Sequence, residues 1–107
     1  MVKKRKVRND RNHILYRLKL ESTGETYIGL SAVIGQAIAR TLTVRFKRHL
    51  SRARTEGKPW TLHETLRVHP DPSLWTKTVL CVVRGRKNAH QRERELIRQF
   101  EPELNTF

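Results

Sequence analysis

Alternating apolar and polar residues mark the first predicted element of the chain, in the segment "ILYRLKL" at 14–20. Every second residue of this segment is apolar or aromatic: Ile14, Tyr16, Leu18 and Leu20. Because strand side chains point to opposite faces in turn, this spacing predicts a half-buried β-strand. Residues 21–25 contain Gly24 and predict a turn, and residues 26–30 predict a second strand. The pattern therefore indicates a β-hairpin with one tyrosine on each strand.

A helical spacing of apolar residues follows the hairpin. Apolar residues recur at three- and four-residue intervals over 42–54: Leu42, Phe46, Leu50 and Ala53. This stripe predicts a helix that ends at Gly57. The segment "TLHETLRV" predicts a second, short helix, whereas residues 31–41 predict either a short helix or an ordered loop.

The last part of the chain predicts one more strand and one more helix. The apolar, β-branched run "WTKTVLCVV" at 75–83 predicts a central strand, and "GRKN" after it predicts a turn. Residues 89–100 predict a helix that Pro102 ends. Its core-facing stripe is predicted at Ala89, Leu96, Ile97 and Phe100. The element order is β-β-α-α-β-α. It predicts an α/β chain of the α+β type, with a small three-stranded, mainly antiparallel sheet flanked by helices.

Charge narrows the classes of partner. The 107 residues suit a single domain and include 23 Lys and Arg against 10 Asp and Glu, for a formal net charge of +13. Such a field attracts polyanions and favours nucleic acid. A ribosome-associated protein or one that binds anionic membranes is the alternative. No apolar run approaches the roughly 20 residues of a membrane-spanning helix.

The amino-terminal segment "MVKKRKVRNDRN" at 1–12 is strongly basic. It lacks the apolar stretch of a signal peptide and predicts a flexible arm that lies along phosphates, with a merely solvated tail as the alternative. Residues 13–107 form the predicted domain. A lone cysteine, Cys81, excludes an internal disulfide and a Cys-x-x-Cys zinc site. It predicts a small buried hydrophobe and a reducing, cytoplasmic setting.

One carboxylate stands out on the last predicted helix. Glu93 falls on the core-facing stripe, three and four residues before Leu96 and Ile97. Burying a carboxylate lowers stability by roughly several kcal/mol unless the carboxylate is paired or binds a cation. Two interpretations stay open at this point: an ion pair with one of the many arginines, or a metal ligand.

Two residues of the middle helix could act on a phosphodiester. Arg45 and His49 are four residues apart and therefore share a helix face. The planar guanidinium matches phosphate oxygens, and imidazole transfers protons near neutral pH. The alternative is a solvated basic face that also contains Lys47, Arg48 and Arg52. The tyrosines likewise allow two interpretations, as phenols that orient a nucleophile or as strand residues with satisfied hydroxyls.

Three segments, taken in chain order, resemble the signature motifs of the GIY-YIG nuclease superfamily. They are "TGETYIGLS" around the second strand, "RFKRH" on the middle helix and "RERELIRQFEPELN" at the end. This superfamily includes phage and mobile-intron homing endonucleases, some restriction enzymes and the incision subunit of bacterial excision repair. The resemblance covers about residues 14–105, although Ile14 stands where the family has glycine.

The resemblance implies a metal-dependent DNA endonuclease that leaves 5′-phosphate and 3′-hydroxyl ends. It implies a catalytic site of Tyr16, Tyr27, Arg45, His49, Glu93 and Asn105. Glu93 would hold one Mg²⁺, for which Mn²⁺ could substitute, Asn105 would buttress the site, and Gly29 would be structural. Tyr16 is the tyrosine expected to take the proton from the attacking water, provided that positive charge lowers its pKa. His63 is a candidate for the further histidine found in some members.

Contacts with double-stranded DNA are expected outside the site as well. They are predicted at Lys3, Lys4, Arg5 and Lys6 in the arm and at Arg48 and Arg52 on the middle helix. A non-catalytic, basic nucleic-acid-binding module with the same fold is the rival interpretation. Monomer and homodimer both remain open.

Overall fold

The computed structural model describes residues 11–105. Its strands are β1 (Asn12–Leu20), β2 (Thr26–Ala32) and β3 (Trp75–Arg84). Its helices are α1 (Ile38–Thr55), α2 (Thr61–Val68) and α3 (Arg86–Phe100), and a 3-10 turn at Pro72–Leu74 precedes β3. The order β-β-α-α-β-α and the α+β class, with a three-stranded antiparallel sheet, are therefore confirmed.

The strand order is β2-β1-β3, so β1 is the central strand and β3 lies at an edge. The prediction that 75–83 is the central strand was wrong. The prediction of a half-buried β1 underestimated how much of that strand is buried. Leu15 is as fully buried as its neighbour Ile14, because β1 is covered on both faces. In β3, by contrast, Val82 is 43% exposed.

A β-bulge in β3 explains why its sequence is misleading. Leu15 pairs with Cys81 whereas Tyr16 pairs with Val79, so Leu80 is an extra residue in the edge strand. The insertion breaks the strict alternation of faces. Leu80 and Cys81 therefore pack against the same small core cluster, and the sequence reads as one continuous apolar run. Cys81 itself is partly exposed rather than buried.

The sheet separates two hydrophobic clusters. The larger cluster contains even-numbered residues of β1 together with residues of α1 and α2, among them Phe46 and Leu66. The smaller cluster contains Leu15, Ile28 and Leu96 and lies between the sheet and α3. The even-numbered apolar residues of β1 lie in the larger cluster and Leu15 lies in the smaller one, which places α1 and α2 on one face and α3 on the other.

Two helices begin earlier than predicted. The α1 helix starts at Ile38, because the Thr41 hydroxyl donates to the Ala37 carbonyl and accepts from the Ile34 N–H, which fixes the chain entering the helix. The segment "GRKN" at 85–88 was predicted as a turn, but α3 already begins at Arg86, directly after the glycine. Gly85, at a φ of 91°, makes the turn alone, and its carbonyl accepts the helical hydrogen bond from the Ala89 N–H.

The ends of the described chain bear on three further predictions. Phe100, predicted in the core, is 54% exposed, because α3 ends there and Glu101 turns the backbone with a φ of 44°. The arm residues Lys3, Lys4, Arg5 and Lys6 lie outside the described residues, so their role stays a prediction. Across residues 11–105, every helix is too short or too polar to cross a membrane.

Candidate active site

The hydroxyl of Tyr16 is the centre of a buried polar cluster on the α1 side of the sheet. It lies 2.8 Å from Nε2 of His49 and accepts a longer hydrogen bond of 3.4 Å from Nε of Arg45. Tyr16 is fully buried in the central strand, and α1 presents Arg45 and His49 one helical turn apart. The structure thus brings three of the predicted catalytic residues into direct contact.

Tyr27, on the neighbouring strand, completes an aromatic cluster with these residues. Its ring centroid lies 6.2 Å from that of Tyr16 and 5.5 Å from that of His49, the latter in an edge-to-face arrangement. Unlike Tyr16, Tyr27 is only partly buried. The cluster therefore contains one buried phenol, that of Tyr16, and one phenol that solvent can partly reach, that of Tyr27.

Gly29 leaves the space in which the Tyr16 phenol lies. The two residues are directly paired across β1 and β2, so their side chains would point to the same face. A Cβ at Gly29 would overlap the Tyr16 hydroxyl and come within 2.7 Å of Cε1 of Tyr27. This geometry supports the structural role expected for Gly29, because any side chain there would displace both tyrosines.

His49 is held in the neutral form. Burial, followed by the nearby charge of Arg45, lowers the pKa of His49 to about 3. The side chain is 5% exposed, which excludes the alternative of a solvated basic face at this position. Its Nδ1 is buried and has no hydrogen-bond partner within the described part of the chain. The ring therefore offers Nε2 to Tyr16 and carries no charge near neutral pH.

The expectation that positive charge lowers the pKa of Tyr16 was wrong in direction. Desolvation by burial raises the pKa of Tyr16, and the opposing effect of Arg45 is smaller. Burial also raises the pKa of Tyr27. Tyr16 is therefore protonated near neutral pH, and its complete burial keeps its hydroxyl away from solvent water.

Glu93, on α3, acts electrostatically on the tyrosines of this cluster. Its side chain is 23% exposed, and desolvation raises its pKa. Among the described ion pairs, Glu93 occurs only beside His90, at 3.9 Å between Nδ1 and Oε1, and not beside an arginine. Its charge raises the pKa of Tyr16 and Tyr27 and is partly offset by Arg45, so it acts on the same cluster without a direct hydrogen bond to it.

A half-buried carboxylate whose ion-pair contact among the described residues is the 3.9 Å one with His90 suits Mg²⁺, which commonly takes one or two protein carboxylates and keeps several waters. Within residues 11–105, no group of three or more His, Cys, Asp or Glu side chains could together hold a metal ion. A magnesium ion on Glu93 would therefore draw most of its ligands from water and phosphate oxygens.

Asn105 supports the site through the backbone of β2. Its Nδ2 donates to the Ile28 carbonyl and its Oδ1 accepts from the Ile28 N–H, both at 2.9 Å. Leu104 N–H donates to the Thr26 carbonyl in the same manner. The segment 103–105 thus forms hydrogen bonds with backbone groups of β2 on either side of Tyr27. Asn105 is a positioning residue here, since both polar ends of its amide are engaged.

A groove of about 290 Å³ runs beside the cluster between the end of β2 and α1. Arg45 and Arg48 line one side of it, and Ser31 lies on the other. Arg48 is exposed, and Arg52 pairs with Glu56 at 3.0 Å. A larger recess of about 630 Å³ on the outer side of α3 contains none of the predicted site residues. The groove, rather than the larger recess, is the place where a phosphate chain could reach Arg45.

Two aromatic residues extend the cluster beyond the predicted set. The ring of His63 lies 5.9 Å from that of His49, and the ring of Trp60 lies 5.0 Å from that of His63. Burial lowers the pKa of His63, which had been only a candidate. Trp60 was not predicted. The sequence feature that could have indicated Trp60 is an aromatic residue directly after "GKP" and close to a basic helix.

Comparison of the chain with protein-family models, with curated proteins and with solved structures gave no match.

Proposed function

We propose that this protein is a metal-dependent DNA endonuclease that hydrolyses a phosphodiester bond to 5′-phosphate and 3′-hydroxyl ends. The observation that carries the proposal is the contact of Arg45, His49 and the Tyr16 hydroxyl within the electrostatic reach of Glu93. These are the residues that the resemblance to GIY-YIG nucleases assigns to one site. A guanidinium, an imidazole, two phenols and a half-buried carboxylate together make up the donor and acceptor set that such a hydrolysis needs.

Arg45 would bind the scissile phosphate. It is partly exposed, its Nε donates to the Tyr16 hydroxyl, and its side chain lines the groove. A planar guanidinium can donate two parallel hydrogen bonds to phosphate oxygens and remains charged at every working pH. It would offset the negative charge that builds on the non-bridging oxygens in the transition state.

Proton transfer would use both tyrosines in different roles. Tyr16 is fully buried, so the partly exposed Tyr27 is better placed to contact the attacking water. Tyr16 and the neutral His49 lie behind it and form the accepting end of a relay. A bound phosphate would add negative charge next to His49 and raise the pKa of the imidazole, which makes it a better proton acceptor.

Glu93 would hold the divalent cation. When bound, Mg²⁺ would stabilise the leaving 3′ oxygen and polarise the phosphate. Burial raises the pKa of Glu93, and a cation at this position would lower it again by favouring the charged carboxylate.

The net charge of +13 supports DNA as the partner, since phosphate contacts supply most of the sequence-independent affinity. Arg48 and the arm residues Lys3, Lys4, Arg5 and Lys6 would contribute such contacts. A DNA substrate would place the protein in the cytoplasm of a bacterium or of a phage-infected cell.

The decisive experiment incubates supercoiled plasmid with the purified protein, with Mg²⁺ or with EDTA, and maps the ends of any product. We expect Mg²⁺-dependent cleavage by the wild type, no cleavage by Glu93→Gln and normal cleavage by the matched control Glu95→Gln. Glu95 lies two residues further along α3, is exposed and pairs with Arg92. DNA binding by both variants should match the wild type. Equal, metal-independent results for all three proteins would instead support the non-catalytic binding module.

A further inference from the structure

An exposed tryptophan lies next to the proposed nuclease site and takes no part in it. Trp60 is 40% exposed, whereas the second tryptophan, Trp75, is buried and donates its indole N–H to the His69 carbonyl. Trp60 belongs to neither hydrophobic cluster, and its indole N–H has no hydrogen bond among the described residues. Packing in the core therefore does not account for its position.

The loop that carries Trp60 is fixed rather than free. Gly57 turns the chain after α1 with a φ of 60°, which favours glycine. The Arg67 guanidinium then donates to the Ala53 carbonyl at 2.9 Å and to the Lys58 carbonyl at 2.7 Å. On its inner side the indole ring contacts His63. The chain just before Trp60 is thus anchored, and its indole ring rests against His63 with part of the ring open to solvent.

Two cations lie over the indole ring of Trp60. The guanidinium carbon of Arg52 lies 5.5 Å and Nζ of Lys58 lies 5.7 Å from the ring centroid. Lys58 is exposed on a long flexible side chain, so an incoming ring could displace it. A partly exposed aromatic plane with cations over it matches a nucleotide, whose base could replace Lys58 against the ring and whose backbone is anionic.

The position of Trp60 relative to the site limits which nucleotide it could meet. Three successive ring pairs lead from Trp60 through His63 and His49 to Tyr16, and no pair has centroids more than 6.2 Å apart. A base on Trp60 would therefore belong to the same DNA molecule, a few nucleotides from the phosphate at Arg45. In intact duplex the faces of the bases are already stacked on each other and are not available to a side chain.

We propose that Trp60, with Arg52 and Lys58 beside it, forms a stacking site for an unpaired DNA base near the scissile phosphate. This proposal rests on the proposed function in taking DNA as the substrate, and it adds a preference for DNA with unpaired nucleotides, such as flaps, overhangs and branches. The preference arises because duplex DNA would have to unstack a base before it could use the site.

Binding can be tested in EDTA, so that no cleavage occurs. One probe is a labelled duplex with a single-stranded flap, and the other is a blunt duplex of the same sequence. The flap DNA should quench the emission of Trp60, whereas the blunt duplex should not. In Trp60→Phe only the buried Trp75 remains, so its emission reports folding and should be unchanged by either DNA.

Fluorescence anisotropy of the labelled DNA gives the dissociation constants. We expect Trp60→Ala to weaken binding of the flap DNA by about 5-fold to 100-fold, the range for loss of one base–aromatic stack, and Trp60→Phe to weaken it less. Binding of the blunt duplex should stay the same. Equal losses on both DNAs, or no loss on either, would overturn the stacking site. Because cleavage plays no part in this measurement, an inactive protein that still prefers the flap through Trp60 would refute the nuclease proposal alone.

Discussion

Acid should destabilise this fold through one buried imidazole. His49 has an ordinary pKa of 6.5 when exposed, as in the unfolded chain, and burial beside Arg45 lowers it to about 3 in the folded protein. The unfolded state therefore binds a proton at a pH where the folded state does not. The stability that neutral His49 retains above pH 6.5 is lost progressively as the pH falls towards 3.

The size of the effect follows from the two pKa values. Each pH unit inside this window costs about 1.4 kcal/mol, so the free energy of unfolding should fall by about 2 kcal/mol between pH 7.5 and pH 5 through this group alone. His63, whose pKa burial also lowers, changes stability in the same direction. The contribution of His49 must therefore be isolated by comparison with a variant.

Urea unfolding of the wild type and of His49→Gln at pH 7.5 and pH 5 provides that comparison. The glutamine amide keeps a hydrogen-bonding group for Tyr16 but does not titrate, so the variant should lose about 2 kcal/mol less than the wild type on acidification. His69→Gln, at a partly exposed position after α2, serves as the control and should follow the wild type. If His49→Gln loses as much stability as the wild type, His49 is not held neutral by the fold, and the proposed proton acceptor loses its basis.

Four other substitutions test three separate parts of the site. Gly29→Ala should displace the Tyr16 phenol, lower the free energy of unfolding by about 1–3 kcal/mol and abolish cleavage, as measured by urea unfolding and plasmid assay; unchanged values would refute the close packing. Arg45→Ala should reduce kcat/KM for plasmid cleavage by about 10²–10³-fold, whereas Arg48→Ala should mainly reduce the salt dependence of DNA binding; similar effects of both would make Arg45 a general backbone contact. Asn105→Ala should cost about 1–3 kcal/mol in urea unfolding, because two hydrogen bonds to the Ile28 backbone are lost; a cost near zero would contradict its supporting role.

The hairpin was predictable because its determinants are local. Alternating residues and a glycine turn specify β1 and β2 without help from the rest of the chain. The position of β3 at the edge was not predictable, because the bulge at Leu80 depends on pairing with β1. The early start of α1 was also missed, since it depends on hydrogen bonds of the Thr41 hydroxyl rather than on apolar spacing.

Local sequence patterns were enough to identify several residues of the candidate site, but not the pKa shifts of those residues. Glu93 was recognisable because a carboxylate on an apolar stripe is costly. The direction of the Tyr16 pKa shift was not, because burial in the central strand outweighs the charge of Arg45, and burial is a property of the assembled layers. Trp60 was overlooked because a single aromatic residue after a proline has no periodic signal.

The two faces of the sheet give the halves of the site unequal resistance to local opening. The helix that carries Arg45 and His49 packs in the larger hydrophobic cluster through Leu42, Phe46 and Ala53, whereas α3, with Glu93, has Ala89 and Leu96 as its buried residues. Segments with few buried contacts open at lower free energy than the core. Amide hydrogens of α3 should therefore exchange with solvent before those of β1, and partial unfolding would release the Glu93 carboxylate while Arg45 and His49 stay in place.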